Sequence, residues 1–136
     1  MDALAFMRKS RLDKRFLNDD HILLSTARKG VSPKVAQYLL NLSGATKASL
    51  EPLLPETYKN MTRKIKLEMY ASERILMISR VFVKGHSVFG KTEKLKSWLS
   101  RYNPFLGAMP FEILNTTTGC NAVLDELTRI EEGILA

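Results

Sequence analysis

The stretch Val88-Phe-Gly-Lys-Thr-Glu-Lys-Leu-Lys-Ser-Trp-Leu99, followed by Tyr102-Asn-Pro-Phe-Leu-Gly-Ala-Met-Pro-Phe-Glu-Ile-Leu-Asn-Thr-Thr-Thr-Gly119, decides the fold. Leu95, Trp98, Leu99 and Tyr102 recur at helical spacing, so a helix is expected over about 91–100. Asn103-Pro104 ends it in a loop, because proline has no amide hydrogen and restricts the residue before it. A short turn is expected near Pro110–Leu114. Cys120, Val123, Leu124, Leu127 and Ile130 then form the stripe of a last helix over about 116–132, capped by Asn115 or Thr116. Trp98, Leu99, Leu124 and Leu127 are expected to be largely buried.

Upstream, Leu67, Ala71, Ile75, Ile78 and Phe82 fall at steps of four, four, three and four, which predicts a helix over about 67–84 stopped by Gly85. This helix should share a hydrophobic seam with the C-terminal unit. The alternation in Val81-Phe-Val is too short for a strand, so the fold class expected is all-α. Further back, a helix near 20–29 ends at Gly30, and Ser32-Pro33 opens another, closed by Gly44. Thr46 caps a short helix over 47–54, Pro55-Glu56 turn the chain, and Thr57 caps a second short helix over about 58–64. Two helices joined by a tight turn form a helix-turn-helix unit. Leu50, Leu53, Leu54, Tyr58 and Met61 would lock the pair together. Thr57, Lys59, Asn60, Arg63 and Lys64 would then face DNA, since cations hold phosphate and Asn or Arg can bond a base edge. Residues 1–19 are basic and weakly patterned, either a frayed helix or a flexible arm. The division expected is an N-terminal extension over 1–20, a DNA-binding domain over 21–66 and a C-terminal domain over 67–136.

The net charge of +7 is unevenly placed. Residues 1–66 carry 13 Lys/Arg against 6 Asp/Glu, whereas residues 67–136 carry 8 of each. Within 110–136, Arg129 stands alone against five carboxylates. A basic front attracts polyanions such as DNA, and an acidic tail suits a basic cleft. Two ordinary solvated faces would read the same way. No apolar run reaches the roughly 18 residues that span a bilayer. The N-terminus lacks a signal peptide's order of cations before apolar residues, and the single Cys120 has no disulfide partner. A cytoplasmic protein without a membrane partner is expected.

The residues do not suggest an enzyme. His21 and His86 lack metal-ligand spacing, and each reads as a surface or helix-end residue. Cys120 lies on an apolar stripe, where a buried, inert thiol is expected. Glu131 and Glu132 are adjacent and point to different sides of a helix, which makes a poor acid–base pair. Gly85, Gly90 and Gly107 are isolated and form no phosphate loop. No cofactor and no metal are expected.

Phe89-Gly90, Lys94 to Leu99, Asn103-Pro104, Leu106-Gly107, Pro110-Phe111, Leu114, Gly119 and Arg129-Ile-Glu-Glu-Gly133 follow one another in the order found in a known family. With them, residues about 21–136 resemble the Xre/MbcA/ParS antitoxins of type II toxin–antitoxin systems. The front half keeps Leu50, Leu53-Leu54, Thr57 and Arg63, but has Glu51 where relatives often have Ala, and Asn115 where many have Asp. The resemblance implies a homodimeric antitoxin that binds its own operator DNA and neutralises a RES-type toxin, one that consumes NAD or transfers ADP-ribose. It also implies that the C-terminal end reaches the toxin's active-site cleft. Contact is expected from Asn103, Arg129, Glu131, Glu132, Gly133, Ile134 and Leu135. Gly133 is expected to free the chain from helical geometry, leaving Ile134 and Leu135 as an apolar end. The alternative is a stand-alone helix-turn-helix regulator whose C-terminal domain only dimerises.

Overall fold

A buried helix, α6 (Met69–Phe89), organises the molecule. In this computed structural model the backbone is described for residues 1–135 and the side chains for residues 1–133. The remaining helices are α1 (Ala3–Ser10), α2 (Asp20–Lys29), α3 (Lys34–Ser43), α4 (Lys47–Leu50), α5 (Tyr58–Thr62), α7 (Thr92–Leu99) and α8 (Thr117–Leu135). Single 3₁₀ turns lie at Lys14–Leu17, Glu51–Leu53 and Pro110–Ile113. Among the described residues there is no strand, only an isolated bridge between Asn103 and Ala108. The all-α class read from the sequence is what the chain adopts.

Every residue of α6 from Arg74 to Phe82 is buried. It packs against α1, α2, α3, α7 and α8. A helix covered on every side is usually apolar all round. Here the buried serines are bonded: Ser79 Oγ donates to Ile75 O within the helix at 2.7 Å, and Ser72 Oγ accepts from the distant Val31 N at 3.0 Å. Gly85 does not stop the helix. It lies inside α6, where a Cβ would overlap Leu95 of α7, so its glycine permits close approach. The stop is Gly90, at φ +75°, whose amide bonds His86 O. The expected end at 84 was therefore one turn and more too early.

The helix starts read from the sequence reappear as bonds. Thr46 Oγ1 accepts from Ser49 N, Thr57 Oγ1 from Asn60 N, and Thr116 Oγ1 from Gly119 N at 2.9 Å. Thr116, not Asn115, is thus the acceptor at the head of α8. Residues 1–19 are not a flexible arm. Asp2 caps α1, and Phe6 and Phe16 are fully buried. Arg80 Nε of α6 donates to Phe16 O at 2.8 Å, tying the Lys14–Leu17 turn to the central helix. One apolar cluster runs from Phe6 through α6 to Leu127.

Candidate functional site

The C-terminal site is built on α7, α8 and the loop between them. Asn103 anchors the loop. Its side-chain carbonyl accepts from Phe105 N at 2.8 Å and Leu106 N at 3.2 Å, and its backbone bonds Ala108 and Gly107. Asn103 is only 8% exposed. Its oxygen is thus engaged internally, and the residues it presents outward are its neighbours. Tyr102 and Phe105 are 68% and 70% exposed. Gly107 closes the loop at φ +68°.

Phe105 touches α8. The Arg129 guanidinium sits 4.1 Å from the centre of its ring, a cation–π arrangement. Arg129 also donates from Nε to both oxygens of Glu126 at 3.1 Å, which raises its own pKa further. The Glu126 carboxylate is buried to 6% exposure and neutralised by this pair. One turn on, Glu131 accepts from Lys84 Nζ of α6 at 2.7 Å. Glu132 is exposed. The acidic tail is therefore divided: Glu126 and Glu131 are paired, while Glu132 and Asp125 face solvent. Gly133 lies within α8 rather than ending it, because the helix continues to Leu135. The expected release from helical geometry at Gly133 does not occur. The side chains of Ile134 and Leu135 lie outside the described residues.

Underneath, Arg74 of α6 donates to the carbonyl of Leu114 and, at 3.8 Å, contacts Cys120 Sγ. Both residues are buried. Burial pushes the Cys120 thiol up, opposed by Arg74, so the thiolate is disfavoured. Leu99 and Leu127 are buried as expected, but Trp98 and Leu124 are only half-buried. Trp98 lies on the rim, its ring tilted against Phe89 at 5.6 Å. His86 is buried rather than superficial, with Nε2 3.1 Å from Leu42 O. A carbonyl only accepts, so Nε2 carries a proton there.

Residues 84–133 match the family model described as the antitoxin Xre/MbcA/ParS C-terminal toxin-binding domain. Residues 84–133 are thus similar to the toxin-binding domain of the Xre/MbcA/ParS antitoxins. No curated protein matches the chain. The toxin-binding domain opens at Lys84 in the last turns of α6 and closes at Gly133, so the Lys84–Glu131 bond joins its two ends. The description of that model names a toxin as what such a domain binds. Phe105 stands between Pro104 and Gly107, and an exposed aromatic at the tip of a tight loop is a feature the sequence carries.

The N-terminal candidate is shorter than expected. The first helix gives way to a 3₁₀ turn after Leu50, which suits Pro52, and α5 ends at Thr62. Tyr58 and Met61 are buried, and Tyr58 Oη donates to Ala36 O at 2.9 Å. Burial and nearby Glu51 push the Tyr58 phenol well up. Thr57, Lys59, Asn60 and Arg63 are exposed. Lys64 is not free as expected: its ammonium bonds both Glu56 oxygens, at 2.8 and 2.9 Å. Among the described residues no group of three or more His, Cys, Asp or Glu could hold a metal. No helix there is long and apolar enough to cross a membrane.

Proposed function

We propose that the chain neutralises a RES-type toxin, one that consumes NAD or transfers ADP-ribose, and that as a homodimer it also binds its operator DNA. The observation that carries the antitoxin part is the match over residues 84–133. The toxin class, the operator and the dimer rest on the ordered motifs of the sequence. Geometry adds a candidate contact surface: the exposed Phe105 and Tyr102 beside Arg129 and Glu132. A basic cleft that binds a pyrophosphate would attract the unpaired Glu132, and the aromatic pair would supply buried area on contact. The end of α8, with Gly133, Ile134 and Leu135, would enter that cleft. The helix-turn-helix reading is supported by the Thr46 and Thr57 caps, by buried Leu50, Tyr58 and Met61, and by exposed Lys59, Asn60 and Arg63.

Co-expression with the product of the adjacent reading frame tests this. Growth and cellular NAD should be preserved with the intact chain. Phe105→Ala with Tyr102→Ala should weaken protection while leaving the helical signal unchanged. If NAD falls equally with and without the chain, this toxin reading fails.

A further inference from the structure

The structure contains a basic groove far in sequence from α5. It lies between the C-terminal end of α1 and the start of α3, and has a volume of about 610 Å³. Arg8, Lys9, Arg11, Ser32, Lys34 and Tyr38 line it, without a carboxylate. None of its four cations forms an ion pair among the described residues. Four unpaired cations around one groove repel each other, and a bound polyanion would relieve that repulsion beyond what water and salt screen.

A second, independent observation concerns Arg11. It closes α1 at φ 56° and ψ 23°, and it is the one non-glycine residue with positive φ among the described residues. Glycine holds that conformation without a Cβ penalty. The chain instead places a guanidinium there, on the groove, at the expense of backbone comfort. Hydroxyl donors complete the lining. Ser32 Oγ accepts from Lys34 N, which leaves its hydrogen free to donate, and α3 begins immediately behind it.

We propose that this groove grips the phosphate backbone of duplex DNA, outside any base-reading contact. The inference rests on the DNA-binding part of the proposed function. An open groove with cations along it fits an extended polyanion better than a small enclosed ligand, and phosphate contacts position a protein without reading sequence. α3 packs against both α1 and α5, so the groove and the short helix belong to one rigid unit.

The test uses the full chain and fluorescence anisotropy across a salt series. The probes are a duplex from its own promoter and a scrambled duplex of equal length. Arg8→Ala with Lys9→Ala should lower the log–log salt slope by about 1.8 on both duplexes, since each phosphate contact contributes about 0.9. Preference for the promoter should not change. Arg11→Gly should weaken binding to both probes while the melting midpoint holds or rises, a split that a merely structural role would not produce. Lys59→Ala with Arg63→Ala should instead remove the preference, so the α5 reading can fail while the groove stands. Unchanged slopes in the groove variants, or a wild-type chain that ignores duplex and binds only single-stranded RNA, would overturn the proposal. Toxin protection, measured alongside, should be the same in all groove variants.

Discussion

Glu51 departs from the family's common alanine, and the structure gives it a task. Its carboxylate accepts the Tyr58 amide at 2.9 Å and so caps α5 from the preceding turn. Glu51→Ala should cost about 1 kcal/mol in denaturant unfolding, the usual value of a lost cap. Gly119 is a harsher case. A Cβ there would overlap the Ile113 carbonyl oxygen, a backbone atom that cannot swing away. Gly119→Ala should therefore lose about 3 kcal/mol or more, read as a fall in melting midpoint. Asp13 offers a titration. Its hydrogen bonds from Arg15 hold its pKa at about 2, below the ordinary 3.8. The folded value is depressed, so its contribution is present above 3.8 and lost as pH falls through about 2. The carboxyl carbon shift followed by NMR should show that midpoint, and Arg15→Ala should return it toward 3.8. Such single-residue facts were only partly legible. A cap announces itself by residue type and position, whereas the Lys64–Glu56 pair, the buried His86 and the internal bonds of Asn103 depend on distances that no spacing rule supplies.

Elements were easier to read than their edges. Stripes at helical period located α6, α7 and α8, and Thr or Gly marked most ends. Gly85 lies inside α6 rather than at its end, and a glycine needed for close packing and a glycine that ends a helix look alike in sequence. The same limit applies to Trp98. Its stripe partners Leu95 and Leu99 are buried, but a helix of eight residues has a rim, and the indole occupies it. Trp98→Ala should thus cost about 2 kcal/mol, less than the 3–5 kcal/mol of a fully buried tryptophan. Thermal unfolding read by circular dichroism will check the figure. Truncation after Arg129 removes the last turns of α8 and the Glu131 partner of Lys84. The paired charges are half-exposed, so the fold should survive with a loss of about 1 kcal/mol or less from that bond. Toxin protection should fall even so. Full protection by the truncated chain would move the contact to the loop around Phe105.

For the molecule as a whole, charge distribution was legible and connectivity was not. The split between a basic front and an acidic end is plain in composition. Nothing in residues 1–19 announces that Phe6 and Phe16 enter the common core, because the apolar residues there are scattered among five cations and keep no helical period. With one core spanning both halves, unfolding in urea should be a single transition, with tryptophan fluorescence from Trp98 and helical signal from the entire chain coinciding. Two separated transitions would contradict the shared core. The buried helix α6 also bears on how such a chain is cleared. It is the floor under α7 and α8 and the wall behind α2 and α3, so neither half keeps its shape when it melts. A protease that captures the opened chain meets no folded remnant, and whatever surfaces the two halves present are destroyed in the same event.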